Sequence, residues 1–192
     1  MKKHILFLIF FSFICATINA QSDPILLETR YYTTEQALGK LFPNADKVVS
    51  KNIQINIKQK NIIQNRLGWK IHEKEYTLYK AFKNKEISGY AIILDEMGKH
   101  YPITFITRIS PHYHVDDVMV LVYREPYGDK VRKNRFLKQF KQKTSKNHIR
   151  VDDDIDGITG ATISSWAMAA GVKKALIIIE ELTKEKETVK LN

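Results

Sequence analysis

The sequence predicts an α+β fold: an antiparallel β-sheet with helices packed on it. Three observations carry that expectation. Between residues 75 and 123, four runs rich in β-branched and aromatic residues follow one another. The connections between them are too short for parallel crossovers, which favours a meander. Near the C-terminus, Met168, Val172, Ala175, Leu176, Ile179 and Leu182 recur at steps of three and four, the spacing of one buried helix face.

The elements follow in chain order. Thr33 or Thr34 before Glu35-Gln36-Ala37-Leu38 has the form of a capped helix start, running to about Phe42. Pro43-Asn44-Ala45-Asp46 breaks it. Ile53, Ile55 and Ile57 alternate with polar residues, as in a strand. Ile62, Ile63 and Leu67 fit a helix as well as a strand, and Gly68 ends the run. The four β-rich runs are Tyr76–Phe82, Tyr90–Leu94, Tyr101–Ile109 and Val115–Tyr123. Asn84-Lys85 and Gly89 punctuate the first junction, and residues 95–99 read as a turn. Residues 118–123 are continuously apolar, which suggests a central strand covered on both faces. Val131 to Phe140 has helical spacing, with Phe136, Leu137 and Phe140 on one side. The last helix is expected from about Ser164 to Leu182, with a solvated tail over residues 184–192.

The N-terminus reads as an address. Lys2 and Lys3 precede an apolar run from Ile5 to Ile14, too short to favour a spanning helix. Ala20 then offers a small residue before a polar stretch, so residues 1–20 are expected to be a secretory signal cleaved after Ala20. A retained N-terminal anchor is the alternative. Cys15 is the single cysteine and leaves with the signal. A mature chain without thiols excludes disulfides, cysteine-ligated iron–sulfur clusters, c-type haem attachment and cysteine nucleophiles. About 170 residues remain, enough for one domain with a core.

The formal net charge is +10. Nine lysines and arginines lie between Lys130 and Arg150 with no acid among them, and Asp152, Asp153, Asp154 and Asp156 follow at once. Export argues against a nucleic-acid role for the basic window. A solvated helix face, or steering towards an acidic membrane surface or redox partner, fits better.

The most informative stretch is Asp156-Gly157-Ile158-Thr159-Gly160-Ala161-Thr162, running into Ile163-Ser164-Ser165. Small residues and hydroxyls in a tight turn open into a helix. Such a turn has the makings of a phosphate site, with free backbone N–H groups and a positive helix end. One or two of Thr159, Thr162, Ser164 and Ser165 would cap that helix. Asp156 would polarise the Thr162 hydroxyl or hold the turn through backbone N–H groups. Asp152-x-Asp154-x-Asp156-Gly157 matches the first half of a calcium loop, but the twelfth position is Ile163 where a bidentate glutamate is needed. Gly157 and Gly160 are too close for a nucleotide P-loop, and no lysine follows. His112 and His114, with His100 upstream, could share a strand face. No carboxylate or cysteine completes a metal set at a recognisable spacing, so no metal site is assigned. Trp166 lies one turn past Thr162.

Asp-Gly-x-Thr-Gly-Ala-Thr resembles the flavinylation motif of FMN-binding domains in the C subunit of the sodium-pumping NADH:quinone oxidoreductase and the G subunit of the Rnf complex. The resemblance extends over roughly residues 75–183, leaving residues 21–74 as an N-terminal α/β segment that is separate or part of the same domain. Glu125-Pro126-Tyr127-Gly128-Asp129-Lys130-Val131 is similar to a family segment placed near the flavin ring. Its Gly-Asp-Lys-Val ending matches better than its beginning. The resemblance implies an FMN-binding-domain-like fold and covalent FMN in a phosphoester bond to Thr162. Asp156, Gly157, Thr159, Gly160, Ala161 and Ser165 would form the recognition turn, with Glu125 and Gly128 near the ring. It further implies a separate flavin transferase as partner, and electron transfer from a membrane-bound reductase or quinone-linked complex to a downstream acceptor. The site of action would be the periplasm or the outer face of the cytoplasmic membrane. Such a protein is a carrier more than a stand-alone enzyme. Two alternatives stand beside it: a reductase that binds FMN reversibly at the same turn, and an exported binding module without cofactor.

Overall fold

The computed structural model describes residues 28–188, with side chains as far as residue 184. The signal segment 1–20, Cys15 and residues 21–27 lie outside the described residues. Six strands form one sheet in which every neighbouring pair is antiparallel. They are β1 (Thr29–Arg30), β2 (Lys47–Gln54), β3 (Glu75–Lys83), β4 (Glu86–Met97), β5 (Pro102–Ile109) and β6 (Val115–Tyr123). Their spatial order is β1-β6-β5-β4-β3-β2, a meander from β2 to β6 with the short β1 closing the far edge. The α+β, antiparallel expectation holds.

Helices cover both faces. On one side lies α1 (Thr34–Leu41), whose Ala37 and Leu41 meet Ala81, Ala91, Ile106 and Leu121 of the sheet. On the other lie α2 (Ile57–Leu67), the short α3 (Asn134–Leu137) and the long α4 (Thr162–Thr188). They bury Ile63, Phe136, Met168, Leu176 and Ile179 against Tyr90, Ile92, Phe105 and Val120. Burying one such side chain fully contributes about 1.5–3 kcal/mol, so this layer dominates the core. An 18-residue window of α4 is apolar enough to cross a membrane, but 72% of that window is buried inside the fold. That is the situation of a core helix.

Local chemistry explains the boundaries. Thr33 and Gln36 form a reciprocal capping box at the start of α1, as do Asn56 and Gln59 at the start of α2. Gly68, at φ 83°, ends α2 in the left-handed conformation. Asn84 (φ 50°) and Lys85 (φ 68°) make the tight turn between β3 and β4.

Five expectations need correction. The second strand lies earlier, over residues 47–54, and Ile57 begins α2, because the Asn56 cap overrides the local alternation. Residues 95–97 continue β4, paired with Pro102, Ile103 and Thr104, so the turn falls after Met97. The helix expected over 131–140 is broken: 3₁₀ turns at Asp129–Arg132 and Lys138–Phe140 flank α3, although Phe136, Leu137 and Phe140 are all buried. Strand β6 has apolar cover on both faces but lies next to the sheet edge, with only two-residue β1 beyond it. Helix α4 starts at Thr162 and continues to Thr188, into the stretch expected to be tail.

One irregularity sets up the site. Thr104 pairs with Val122 and Phe105 with Val120, so Leu121 is an extra residue in β6. Such a bulge re-phases the strand. Val118 and Val120 face α4, Leu121 and Val122 face α1, and Tyr123 is returned to the α4 side.

Candidate functional site

The site forms where β6 ends beside the start of α4. Ala161 donates its N–H to the Ile158 carbonyl (2.8 Å), and Gly160 between them has φ 80°. This is a type II turn, whose third residue needs a positive φ. The residue before α4 is therefore Ala161, and none of the four candidate hydroxyls occupies the capping position. Ser165 instead clamps turn to helix from within. Its buried hydroxyl donates to the Ala161 carbonyl (2.9 Å) and accepts the Ile158 N–H (3.2 Å). Ser164 is tied to β6: its hydroxyl bonds Tyr123 Oη at 2.9 Å, and Tyr123 donates to the Tyr127 carbonyl at 2.7 Å.

Thr162 is left as the first helical residue, exposed, at an end without a side-chain cap among the described residues. The first N–H groups of a helix have no intrahelical acceptor. An anion bonded to the Thr162 hydroxyl meets those donors and the positive end of the helix dipole.

Two loops face Thr162. One is Glu125–Gly128. Gly128 has φ 95°, and a Cβ placed there would stand 2.5 Å from Tyr123 Oη and 3.0 Å from Ser164 Oγ. Glycine lets this loop lie against the helix start. The other is the β4–β5 connection. Glu125, only 7% exposed, accepts the backbone N–H groups of His100 (2.5 Å) and Tyr101 (3.0 Å), so its carboxylate fastens one loop to the other. Between them lies a cleft of about 500 Å³, lined by Lys99, His100, Glu125, Pro126, Tyr127 and residues 160–164. That volume falls in the range of small-molecule sites, about 300–1,000 Å³. Tyr127 (83% exposed) and Ile163 (41% exposed) give it apolar surface, and Lys99 a cation. These residues fit FMN: helix N–H groups for a phosphate and a cleft of ligand size for a ring.

The structure thus brings Thr162, Gly160, Ala161, Glu125 and Gly128 together, with Ser165 directly behind. It does not bring Asp156, Gly157 or Thr159 to the cleft. These line a second hollow of about 550 Å³ with Lys130, Lys133, Arg135 and Lys138. Asp156 is held through its backbone, its N–H to Gln139 Oε1 (2.8 Å) and its carbonyl from Gln139 Nε2 (3.2 Å). Its carboxylate makes no bond to Thr162 among the described residues, so the expected polarising role has no geometric support.

Lys99, Tyr123 and Tyr127 were not legible as site residues, and His100 was legible only as a stray imidazole. Tyr127 lies within the segment that carries the resemblance. Lys99 and His100 have no local signal, since the β4–β5 hairpin alone carries them to the end of β6. His112 and His114 sit elsewhere, with His114 Nδ1 3.0 Å from Ser110 Oγ and Nε2 3.3 Å from Asp116.

Residues 98–177 match the family model of the FMN-binding domain. That span opens at the β4–β5 turn and contains every residue of the cleft. The chain is 24% identical over 174 residues to the G subunit of the proton-translocating ferredoxin:NAD(+) oxidoreductase complex of Clostridium ljungdahlii, an alignment covering 87% of this chain and 88% of that protein. Among solved structures it resembles NqrC of Shewanella oneidensis, with a TM-score of 0.52 at 15% identity, over 74% of this chain and 87% of that one. The second likeness is one of fold.

Proposed function

We propose, on the premise that this chain is an FMN-binding domain protein resembling NqrC and the G subunit of the ferredoxin:NAD(+) oxidoreductase complex, that it is an exported electron carrier with FMN esterified to Thr162. The observation that carries this reading is the placement of the Thr162 hydroxyl. It is exposed at the first residue of α4, at the mouth of a cleft of ligand size, in a turn that holds its shape without using that hydroxyl.

The attachment needs a flavin transferase acting on FAD. A bond forms between Thr162 Oγ and the FMN phosphorus, the pyrophosphate bond breaks, AMP leaves and the hydroxyl proton is released. The chain's own part is to present the hydroxyl. Gly160 and the Ser165 clamp set the turn, and the open helix end favours the phosphate charge by about 0.3–1 kcal/mol. Once bound, the isoalloxazine supplies reversible electron uptake and release. Outside the cytoplasm a covalent tether prevents its loss.

The carrier would work between a membrane-bound reductase or quinone-linked complex and a downstream acceptor. The basic hollow beside the turn supports an acidic partner or membrane surface. Lys130, Lys133, Arg135 and Lys138 are lined up there, and among the described residues none of the four is ion-paired. Unpaired cations on one face raise encounter rates with anionic surfaces and lose that effect in salt.

The test is intact-mass spectrometry and peptide mapping of protein co-produced with a flavin transferase. An FMN moiety on the peptide containing Thr162 is expected. Thr162→Ala should carry no linked flavin and melt like the parent. Linked flavin surviving denaturation in Thr162→Ala would falsify the assignment. Flavin released from the parent on unfolding points to reversible binding instead.

A further inference from the structure

A third cleft, of about 560 Å³, runs along α4 beyond Thr162. Its floor is Trp166, Ala169, Ala170 and Lys173, and its walls are Trp69 and residues 148–153. At 3.6 residues per turn, Trp166, Ala169 and Lys173 lie within about 40° of Thr162 around the helix axis. Thr162 therefore stands at the head of the stripe that forms this floor, about 6 Å along the axis from Trp166. Anything tethered to its hydroxyl has two clefts in reach, one past the helix end and one along the helix.

The third cleft offers two indoles to a flat ring. Trp69 is 43% exposed and Trp166 53% exposed, and among the described residues neither indole stacks on another ring. Gly68 ends α2 and delivers Trp69 to the wall. Ala169 and Ala170 keep the floor low. The opposite wall is held in an unusual backbone: Ile149 has φ 49° and Asp152 φ 66°. A β-branched residue in that region is strained and persists only when its surroundings enforce it. Here Ile149 is 3% exposed, and Asp154 pins the segment by accepting the Arg150 N–H (2.8 Å) and the Lys143 ammonium (3.0 Å). The wall is preformed.

We propose that the cleft between Trp69 and Trp166 is a seat for the isoalloxazine ring tethered at Thr162, distinct from the cleft at the Glu125–Gly128 loop. This rests on the Thr162 reading above. A short tether gives an effective concentration of about millimolar, so modest stacking on two indoles is enough to hold the ring. With the ring there, its edge lies on the outer surface of α4, open to a partner; in the other cleft it lies between two loops.

The test uses the linked flavin's own emission. An indole in contact quenches flavin fluorescence by electron donation, whereas phenylalanine does not. These are the only two tryptophans in the chain. The parent, Trp69→Phe, Trp166→Phe and the double variant are each co-produced with a flavin transferase and checked by intact mass. Both positions are half-exposed and the replacements remain aromatic, so the fold should persist, which thermal melting verifies. The double variant is expected to emit several-fold more strongly per linked flavin than the parent, with each single variant between them. Tyr127→Leu, in the other cleft, should change emission less than the double variant does. Linked flavin whose emission is indifferent to both tryptophans overturns this seat and leaves attachment at Thr162 standing. Absence of linked flavin, with the transferase active on a control substrate, removes the Thr162 reading and this proposal with it.

Discussion

Tyr123 and Ser164 join the last residue of β6 to the first turn of α4 through a 2.9 Å hydrogen bond between their hydroxyls. The Tyr123 proton is committed to the Tyr127 carbonyl at 2.7 Å, so Ser164 is the donor. One phenol thus orders the sheet, the helix start and the loop that forms the cleft wall. Tyr123 faces this way only because of the bulge at Leu121. Burial raises its pKa, which keeps the hydroxyl protonated.

Tyr123→Phe should therefore unfasten the loop while keeping the ring packed. It leaves the Tyr127 carbonyl and the Ser164 hydroxyl unpaired, at a cost of about 1–3 kcal/mol. For a chain of this size that lowers the melting temperature by roughly 2–12 °C. Linked flavin should still form, at a lower yield. A melt identical to the parent would show that the phenol does not hold the loop.

Two glycines of the site make different demands. A Cβ on Gly160 meets nothing within 4 Å, so Gly160→Ala costs only the left-handed backbone, about 1–2 kcal/mol. A Cβ on Gly128 also collides with Tyr123 Oη and approaches Ser164 Oγ. Gly128→Ala should cost about 2–5 kcal/mol, adding overpacking to the backbone term. Chemical denaturation of both variants checks the order; equal losses would mean that the loop relaxes freely away from α4.

Glu125 acts as a fastener. Glu125→Ala strips the acceptor from two backbone N–H groups and should cost about 1–3 kcal/mol. Glu125→Gln keeps an acceptor oxygen and should lose less. Both should loosen the rim that carries Lys99 and His100. Hydrogen exchange at the amides of His100 and Tyr101 reads this directly, and unchanged protection in Glu125→Ala would rule out the role.

Lys174 is a core ammonium between two carboxylates. It bonds Glu73 and, at 3.0 Å, Glu96. Burial would lower its pKa, but the two carboxylates outweigh burial and hold it raised. Its contribution is thus present at neutral pH and lost only in strong alkali. Burial raises the Glu96 pKa against the pull of Lys174. For Glu73, burial works upward but the Lys174 bond prevails and lowers its pKa. Lys174→Met leaves both carboxylates without their cation and should cost about 3–5 kcal/mol at neutral pH. Both then bind protons more tightly when folded, so the deficit should narrow as pH falls towards their ordinary value of 4.5. Urea denaturation at neutral and mildly acid pH tests the sign; a gap that widens in acid would contradict it.

What the sequence alone determined is local. Thr33 opens a helix because capping is a matter of three or four residues. The β-rich runs pair as a meander because short connections leave no other choice. The turn 156–161 and the onset of α4 near Thr162 were legible because glycine placement and helical periodicity sit side by side in the chain. Tertiary structure decided everything that depends on phase or on distant contact. One extra residue in β6 turns Tyr123 towards α4, and no periodicity in an all-apolar run shows which residue is extra. Antiparallel pairing carries Lys99 and His100 to Thr162, while the Gln139 amide draws Asp156 to the opposite side of its own motif. Trp69 and Trp166 lie far apart in sequence and line one cleft only because α2 packs on α4. Proximity across a folded sheet leaves no mark on either segment alone.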